Sequence, residues 1–288
     1  MRILTLIENT AAIDKLFVEN GISFYIEAGG AKILFDTGAS GRFKVNAEKM
    51  KVTLSQLDCA VISHNHTGHV GGLDTLLETC PNIKIFMRKS AQTTTFKQSG
   101  LFKIPIGHPR EFYEKIADNI VAFNCFQEVA PGVFLMSDET LYHARNDIPL
   151  LIKRQGDGEE NFTLKIEKDT FADEVFMVIF PSLDEKDGCV VVSPCSHRGI
   201  VNVLKSVQNT WKSAPILSVV GGFHLMGKNS RKFYCPPSDI ADLADELADL
   251  HVGMLYTCHC TGEKGYELLK EKLGNQIQYL QAGEELEF

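Results

Sequence analysis

Three histidines lie close together in the segment 63–72, which reads SHNHTGHVGG. His64 and His66 follow an apolar stretch that predicts a buried strand, and side chains two apart on a strand point to the same face. His69 can fold back toward them at the turn into the next predicted helix. Neutral imidazole is a good ligand for zinc, iron or nickel. The segment therefore predicts a metal site.

Three further histidines each follow an apolar stretch of strand type: His197 after VVVS, His224 after ILSVV, and His259 after MLYT. Loops between a strand and a helix are where layered α/β folds place their chemistry. We expect the four strand ends to share one site, with His197 and His259 as metal ligands. The role of His224 stays open among metal ligand, substrate hydrogen-bond partner and core residue.

Neighbouring polar residues indicate supporting roles. Asp36 ends the stretch ILFD, where its carboxylate can accept a ring N–H and fix the tautomer of a ligating histidine. Arg198 and Thr261 each precede a glycine at the predicted start of a helix. Helix N-termini bind anions through free N–H groups. These positions predict an anionic substrate near Arg198 and Thr261.

The elements that must position these residues form two β-rich halves, each with helices. In the first half, Gly29 and Gly30 mark the turn of a hairpin, and residues 58–63 (DCAVIS) form a buried strand. In the second half, strands and helices alternate. This order predicts two sheets packed together with helices outside. We expect a single domain over residues 1–288, with a variable, cap-like excursion at about 90–172.

The composition narrows the class of protein. The 288 residues include 29 Lys and Arg against 37 Asp and Glu, a formal net charge of −8. This balance argues against generic nucleic-acid and membrane binding. No stretch has the pattern of a signal peptide or reaches the ~18 apolar residues of a membrane span. We therefore expect a cytoplasmic protein whose eight cysteines are reduced thiols.

Several motifs resemble those of the metallo-β-lactamase superfamily, namely FDTG (35–38), SHNHTGHVGG (63–72) and the late His259. Others resemble its branch named after 7,8-dihydropterin-6-methyl-4-(β-D-ribofuranosyl)aminobenzene-5′-phosphate synthase: ENGISFYIE (19–27), ILFDTG (33–38), SPCSHRGIVN (193–202), VVGGFHL (219–225) and CHCTGEKGYELL (258–269). The resemblance implies an α/β fold, a four-layered αββα sandwich, with one or two divalent metal ions between the sheets. Zinc is the expected metal, with iron or manganese as alternatives.

The chain departs from the superfamily pattern His-x-His-x-Asp-His at Gly68, which stands in place of the aspartate. That aspartate normally helps to bind a second metal and to hold the attacking water. The branch also tends to have histidine where this chain has Asn20. The resemblance implies a first metal at His64 and His66 with a third ligand, and His69 and His259 remain for a second metal. Because Gly68 removes an anionic ligand, we expect either a single tightly held metal or a second metal that is held weakly.

The remaining ligands stay open at this point. Cys195 ends a strand where relatives in the superfamily place a bridging carboxylate, so its thiolate could complete the site. His197 lies two residues further on, and both could reach the metal only if the loop bends back. Asp173 and Glu174, from the preceding predicted strand, are alternative ligands.

These features predict a metal-dependent hydrolase, or a related transferase, that acts on a small anionic molecule of phosphorylated or pterin-like type. The predicted catalytic residues are His69, Asp36 and Arg198, and the predicted substrate-binding or supporting residues are His224, Asn20 and Thr261. The alternative is a non-catalytic or weakly active descendant that binds a metal or ligand, because Gly68 removes a ligand. A nuclease fits the acidic charge less well. The oligomeric state stays open.

Overall fold

The computed structural model describes residues 1–99, 101–137, 150–154, 165–226 and 233–288. In chain order the described strands are β1 (Arg2–Ile7), β2 (Ser23–Ala28), β3 (Ala31–Phe35), β4 (Cys59–Val61), β5 (Lys84–Arg88), β6 (Thr94–Ser99), β7 (Phe102–Pro105), β8 (Ile120–Phe123), β9 (Phe126–Ala130), β10 (Val133–Met136), β11 (Leu150–Arg154), β12 (Lys165–Lys168), β13 (Phe176–Ile179), β14 (Cys189–Ser193), β15 (Ile216–Gly221), β16 (Met254–Thr257), β17 (Ile277–Tyr279) and β18 (Glu285–Glu287). The described α-helices are α1 (Arg42–Lys49), α2 (Thr67–Val70), α3 (Leu73–Thr79), α4 (Arg110–Lys115), α5 (Ile200–Thr210), α6 (Pro237–Asp249) and α7 (Gly262–Leu273).

Two seven-stranded sheets form the centre of the fold. The first has the order β18-β1-β2-β3-β4-β5-β8, and the second has the order β17-β16-β15-β14-β13-β10-β9. In each sheet one part is antiparallel and the other parallel: β3, β4, β5 and β8 run parallel, as do β14, β15, β16 and β17. The β2–β3 hairpin turns at Gly29 and Gly30, which both have positive φ, as a tight hairpin turn requires.

The sheets pack face to face because successive apolar side chains along their strands point to opposite faces of the sheet. On β14, Val190 and Val192 point into the cluster between the two sheets, whereas Val191 points into the cluster beneath α5, α6 and α7. On the first sheet, Ile3 faces inward while Leu4 faces the cluster beneath α1 and α3. Period-two burial of this kind is what a sheet covered on both faces demands. The predicted αββα sandwich is thereby confirmed.

A third, four-stranded sheet with the order β12-β11-β6-β7 lies within the predicted excursion at 90–172. The same stretch also contains β8, β9 and β10, which belong to the two main sheets. Residues 100, 138–149 and 155–164 of the excursion lie outside the described residues. Among the helices that are described, none has the length and apolar character needed to cross a membrane.

The parallel strands position the site. The carboxyl ends of β3 and β4 lead into Asp36 and the histidine segment, and those of β14, β15 and β16 lead into the loops at 194–198, 222–225 and 258–261. Carboxyl ends of parallel strands meet at one edge of a sheet, which is the usual ligand-binding edge in α/β folds. The four predicted loops therefore lie at adjoining edges of the two sheets.

Candidate metal centre

The imidazoles of His64, His66 and His197 meet where the loops after β4 and β14 come together. His64 Nε2 lies 3.0 Å from His66 Nδ1 and 3.1 Å from His197 Nε2. Zinc–nitrogen bonds of about 2.0–2.1 Å place the nitrogens of a tetrahedral site roughly 3.3 Å apart. The two distances from His64 Nε2 are therefore close to the spacing within one tetrahedral site, and His64 and His197 form, with Cys195, a group whose ligand atoms all lie within 4.8 Å of one another.

Hydrogen bonding fixes the tautomer of His64. Ser63 Oγ donates its proton to Asp36 Oδ2 at 2.7 Å. It is then an acceptor for the Nδ1–H of His64, at 2.9 Å. The proton of His64 is thereby held at Nδ1, and the lone pair on Nε2 is directed at His66 and His197.

His69 and His259 form a second group, with ring centroids 5.3 Å apart. His69 donates from Nδ1 to Asp36 Oδ2 at 2.6 Å. His259 donates from Nδ1 to Asn9 Oδ1 at 3.0 Å, and Asn9 Nδ2 donates back to the carbonyl of His259 at 3.2 Å. Both histidines therefore keep Nε2 free as a ligand atom. Asp36 is fully buried behind His69, so it positions that ring and does not itself face the cleft.

Cys195 lies between the two histidine groups. Its Sγ lies within 4.8 Å of ligand atoms of His64 and His197, and equally of His69 and His259. Cys195 Sγ also lies 3.4 Å from His224 Nδ1. Thiolate and imidazole are the donors that zinc prefers. The side chains brought together here fit a zinc-type ion, and the structure places Cys195 and His197 among the possible ligands.

Strained backbone aims the site residues into the cleft. Asp36, Ser196, His224 and His259 have φ values of 60°, 54°, 51° and 51°, in the left-handed region that favours glycine. Such conformations cost roughly 1–3 kcal/mol each and persist where the surrounding structure enforces them. All four residues follow the carboxyl end of a central strand, where the chain must turn sharply to bring a side chain back over the sheet edge.

Burial keeps the imidazoles neutral. It lowers the pKa of His66 and of His224 to about 3 and that of His259 to about 4. Burial, together with the neighbouring imidazoles, also holds the pKa of His64 well below its usual range. Neutral imidazole has the lone pair that a metal ion needs.

Glu174 holds the loop that carries His197, so the prediction of Glu174 as a metal ligand is not supported by its contacts. Its carboxylate accepts hydrogen bonds from the backbone N–H groups of His197 at 2.7 Å and Arg198 at 3.1 Å. Burial raises the pKa of Glu174 to about 7. Asp173, the other alternative, lies where Arg88 and Arg198 interact with it, and burial raises its pKa.

Two predicted substrate-contacting residues lie elsewhere. The Arg198 side chain is only 4% exposed, does not line the cleft, and interacts with Asp173 and Glu174. Thr261 is fully buried, and its hydroxyl accepts a hydrogen bond from Phe223 N at 2.8 Å. The structure therefore places Arg198 behind the cleft and not in its wall, and Thr261 stabilises the loop that carries His224.

The cleft has a volume of about 550 Å³. Its walls include the predicted Asn20, His66, His69, Cys195, His197, His224 and His259, and the unpredicted Asn9, Lys97, Ile104, Ile106, Phe171, Met226, Tyr234 and Cys260. Lys97, on β6, is the only Lys or Arg among the described residues that line it. Within the described part of the chain, the cation available to a substrate thus comes from the third sheet and not from the start of α5.

Glu8 and Asn9 are supporting residues that sequence reasoning missed. Glu8 is fully buried and accepts from His259 N at 2.6 Å and from the Tyr279 hydroxyl at 3.0 Å. The two residues directly follow the apolar stretch of β1. Polar residues at a strand end were the available signal, but their partner His259 lies 250 positions away in the chain.

Comparisons with known proteins agree with this geometry. The family model of the metallo-beta-lactamase superfamily matches residues 17–165. A 7,8-dihydropterin-6-methyl-4-(beta-D-ribofuranosyl)-aminobenzene-5'-phosphate synthase from Methanocaldococcus jannaschii is 27% identical over 301 residues, covering 100% of this chain and 97% of that protein. A metal-dependent hydrolase of the beta-lactamase superfamily has a solved structure that is 28% identical, with a TM-score of 0.78 over 100% of this chain and 99% of that one. A metallo-beta-lactamase fold protein from Bacillus subtilis, 11% identical, shares the fold with a TM-score of 0.58 over 100% and 99% of the two chains.

Proposed function

Since the chain belongs to the metallo-beta-lactamase superfamily, we propose that it is a metal-dependent hydrolase of a small anionic molecule. The observation that carries the proposal is the convergence of His64 Nε2 with His66 Nδ1 and His197 Nε2 at 3.0 and 3.1 Å. A full-length relative in structure, 28% identical, is a metal-dependent hydrolase of the same superfamily.

Zinc is the metal we propose, because the donors are imidazole nitrogens and a thiol sulfur. His64, His66 and His197 would hold it, with Cys195 within reach. An ion of this kind supplies Lewis-acid chemistry, making water more acidic and polarising a carbonyl or phosphoryl oxygen. Metal analysis of the purified protein distinguishes zinc from the two alternatives, iron and manganese.

The protein's own residues orient these donors. Asp36 accepts from His69 and Ser63, and the Ser63 hydroxyl in turn accepts from His64. One buried carboxylate thereby fixes two imidazole tautomers. Asn9 does the same for His259. Partners of this kind raise metal affinity because the ligands are already aimed before the ion binds.

The walls of the cleft indicate the class of substrate. Lys97 provides a positive charge, and Asn20 an exposed amide at the rim. Ile104, Ile106 and Phe171 line the cleft with apolar surface. We propose a substrate with an anionic group, such as a phosphate, that pairs with Lys97, and an apolar or aromatic part that packs against Phe171. A pterin-like ring has the second of these properties.

A second candidate function is group transfer on such a substrate. It is favoured by the relative from Methanocaldococcus jannaschii, a synthase whose sequence matches this chain from end to end at 27% identity. The two functions share the site and differ in the acceptor, which is water for hydrolysis and an aromatic amine or similar nucleophile for transfer. Product analysis with and without an added aromatic amine separates them.

The experiment is an assay of the purified protein with small esters, phosphate esters, phosphodiesters and lactams, before and after removal of metal by a chelator. We expect hydrolysis of an anionic member that chelation abolishes and zinc restores. His64→Ala should lose metal and more than about 100-fold in rate, a larger loss than removal of an outer partner causes. Metal binding without any turnover would favour the non-catalytic alternative.

A further inference from the structure

Two buried thiols and an imidazole lie together beside His64, His66, His69, His197 and His259. Cys195 Sγ is 3.2 Å from Cys260 Sγ and 3.4 Å from His224 Nδ1. The ligand atoms of the three residues all lie within 4.8 Å of one another. Two sulfurs and one nitrogen form a donor set typical of zinc sites.

The backbone brings these three residues together by direct hydrogen bonds between their loops. Gly222 N donates to the carbonyl of Pro194, and Leu225 N and Met226 N both donate to the carbonyl of Cys260. A Cβ atom on Gly222 would lie 2.4 Å from Cys260 Sγ, so only glycine there lets the thiol approach. The loops are joined before any ligand binds.

The distances fit an ion with a small adjustment. Zinc–sulfur bonds of about 2.3 Å and zinc–nitrogen bonds of about 2.0–2.1 Å give tetrahedral edges of roughly 3.5 Å between sulfur and nitrogen and roughly 3.8 Å between sulfurs. The Cys195–His224 separation of 3.4 Å already has the first value. The two sulfurs lie 3.2 Å apart, and they would move apart by about half an ångström to reach the sulfur–sulfur distance of roughly 3.8 Å.

The two thiols differ from the other buried cysteines of this region. Cys258 packs in the apolar cluster between the sheets, whereas Cys195 and Cys260 line the cleft and take no part in the described apolar clusters. Among the described residues, the hydrogen bonds of both thiols stay within the group: Cys195 Sγ donates to Cys260 Sγ, and Cys260 Sγ donates to the carbonyl of Cys195. Both thiols are almost fully buried and lie in the wall of the cleft.

We propose that Cys195, Cys260 and His224 form a further metal position that takes a thiophilic divalent ion of the zinc class. Cys195 also reaches the two histidine groups, so its thiolate can join this ion to one held by His64 and His197. This position needs no carboxylate at residue 68. This inference rests on the proposed function only where it joins the new position to the imidazole-bound ion. Metal binding by Cys195, Cys260 and His224 can itself be measured without catalytic turnover.

The test uses the metal-depleted, reduced full chain titrated with Co²⁺ alone, followed by thiolate-to-cobalt charge-transfer absorption. Wild type should show this absorption, and Cys260→Ser should lose about half of it together with one bound equivalent, since one of two thiolate ligands is gone. Cys258→Ser, a buried thiol in the same loop, is the matched control and should keep both. Equal absorption and equal metal content in Cys260→Ser and wild type would overturn the proposal.

A second measurement needs no variant. X-ray absorption of the zinc-loaded wild type should show sulfur scatterers at about 2.3 Å. Only nitrogen and oxygen scatterers, or a Cys195–Cys260 disulfide in protein kept under reductant, would contradict the proposal. The double variant His64→Ala, His66→Ala separates the thiol-bound metal position from the proposed hydrolase function. It should lose the imidazole-bound ion and activity, while the cobalt–thiolate absorption remains.

Discussion

A Cβ atom on Gly68 would lie 2.9 Å from the backbone oxygen of Asn20. The two segments are also joined by a hydrogen bond from Ile22 N to the carbonyl of Gly68, at 3.0 Å. Gly21 packs as closely, since a Cβ there would lie 2.6 Å from the oxygen of Gly68. The missing aspartate and the position of the loop at 20–21 are thus one structural feature: the loop occupies the space that a side chain at position 68 would need.

We predict that Gly68→Ala and Gly68→Asp both destabilise the protein by about 1–3 kcal/mol, because the clash arises at Cβ and the loop must shift. Chemical denaturation of the metal-depleted variants measures this. Alanine is the matched control, since it has the Cβ but no carboxylate. Any difference in zinc affinity between the two variants then reports the carboxylate alone. Unchanged stability of Gly68→Ala would contradict the close approach.

Asp36→Asn should weaken zinc binding by about 10–100-fold, because the variant places an amide where a carboxylate accepts from His69 Nδ1 and Ser63. Equilibrium competition with a chromogenic chelator measures the affinity. Asp58→Asn is the control: within the part of the chain that the structure describes, the Asp58 carboxylate accepts only the backbone N–H of Lys32, at 2.8 Å. Equal affinities for Asp36→Asn and wild type would show that tautomer control by Asp36 is unimportant.

Lys97→Ala should lower kcat/KM for anionic substrates by about 10–100-fold, the value of a charge-assisted hydrogen bond. For an uncharged substrate of the same size the ratio of variant to wild type should stay near one. Lys103→Ala on the neighbouring strand β7 is the matched control, because Lys103 is exposed and does not line the cleft. A similar loss on charged and uncharged substrates would mean that Lys97 acts through the structure of the third sheet.

Zinc affinity should rise with pH near neutrality, by about one logarithmic unit per pH unit for each thiol that loses its proton on binding. Burial raises the pKa of the Cys195 thiol well above its usual range, so binding at pH 7 must release that proton. The imidazoles release none, because burial lowers the pKa of His66 to about 3 and that of His259 to about 4.

Calorimetry in buffers of different ionisation enthalpy counts the protons released. Cys195→Ser should abolish the contribution of that thiol, while Cys258→Ser, a thiol outside the group, should leave the count unchanged. In the Cys195→Ser variant, a rise of affinity with pH that is confined to the range below about pH 6.5, the ordinary pKa of histidine, would indicate instead that imidazole protonation governs binding.

The histidine cluster could be predicted because its signal is local. His64 and His66 stand two apart after an apolar strand, and His197, His224 and His259 each follow another. Two packed sheets with helices outside were predictable from the order of elements, and the αββα form was implied by the resemblance. Elements without a clear apolar pattern could not be predicted from the sequence. These include α1 and the short edge strands β17 and β18.

Other parts of the site depend on contacts between distant segments. The start of α5 was predicted to bind a substrate anion through Arg198. The N–H groups of His197 and Arg198 instead bind the carboxylate of Glu174, 23 and 24 positions earlier in the chain. Lys97 was missed because its segment of mixed polarity shows no periodicity that would place β6 over the cleft. Such pairings follow from tertiary packing and cannot be read from spacing along the chain.

The central claim is that His64, His66 and His197 bind one divalent metal ion in this cleft. Anomalous diffraction at the zinc edge, from crystals of the zinc-loaded protein, tests it most directly. We expect a peak about 2.0–2.1 Å from His64 Nε2, His66 Nδ1 and His197 Nε2. Zinc bound elsewhere, with no peak within bonding distance of these three nitrogens, would contradict it.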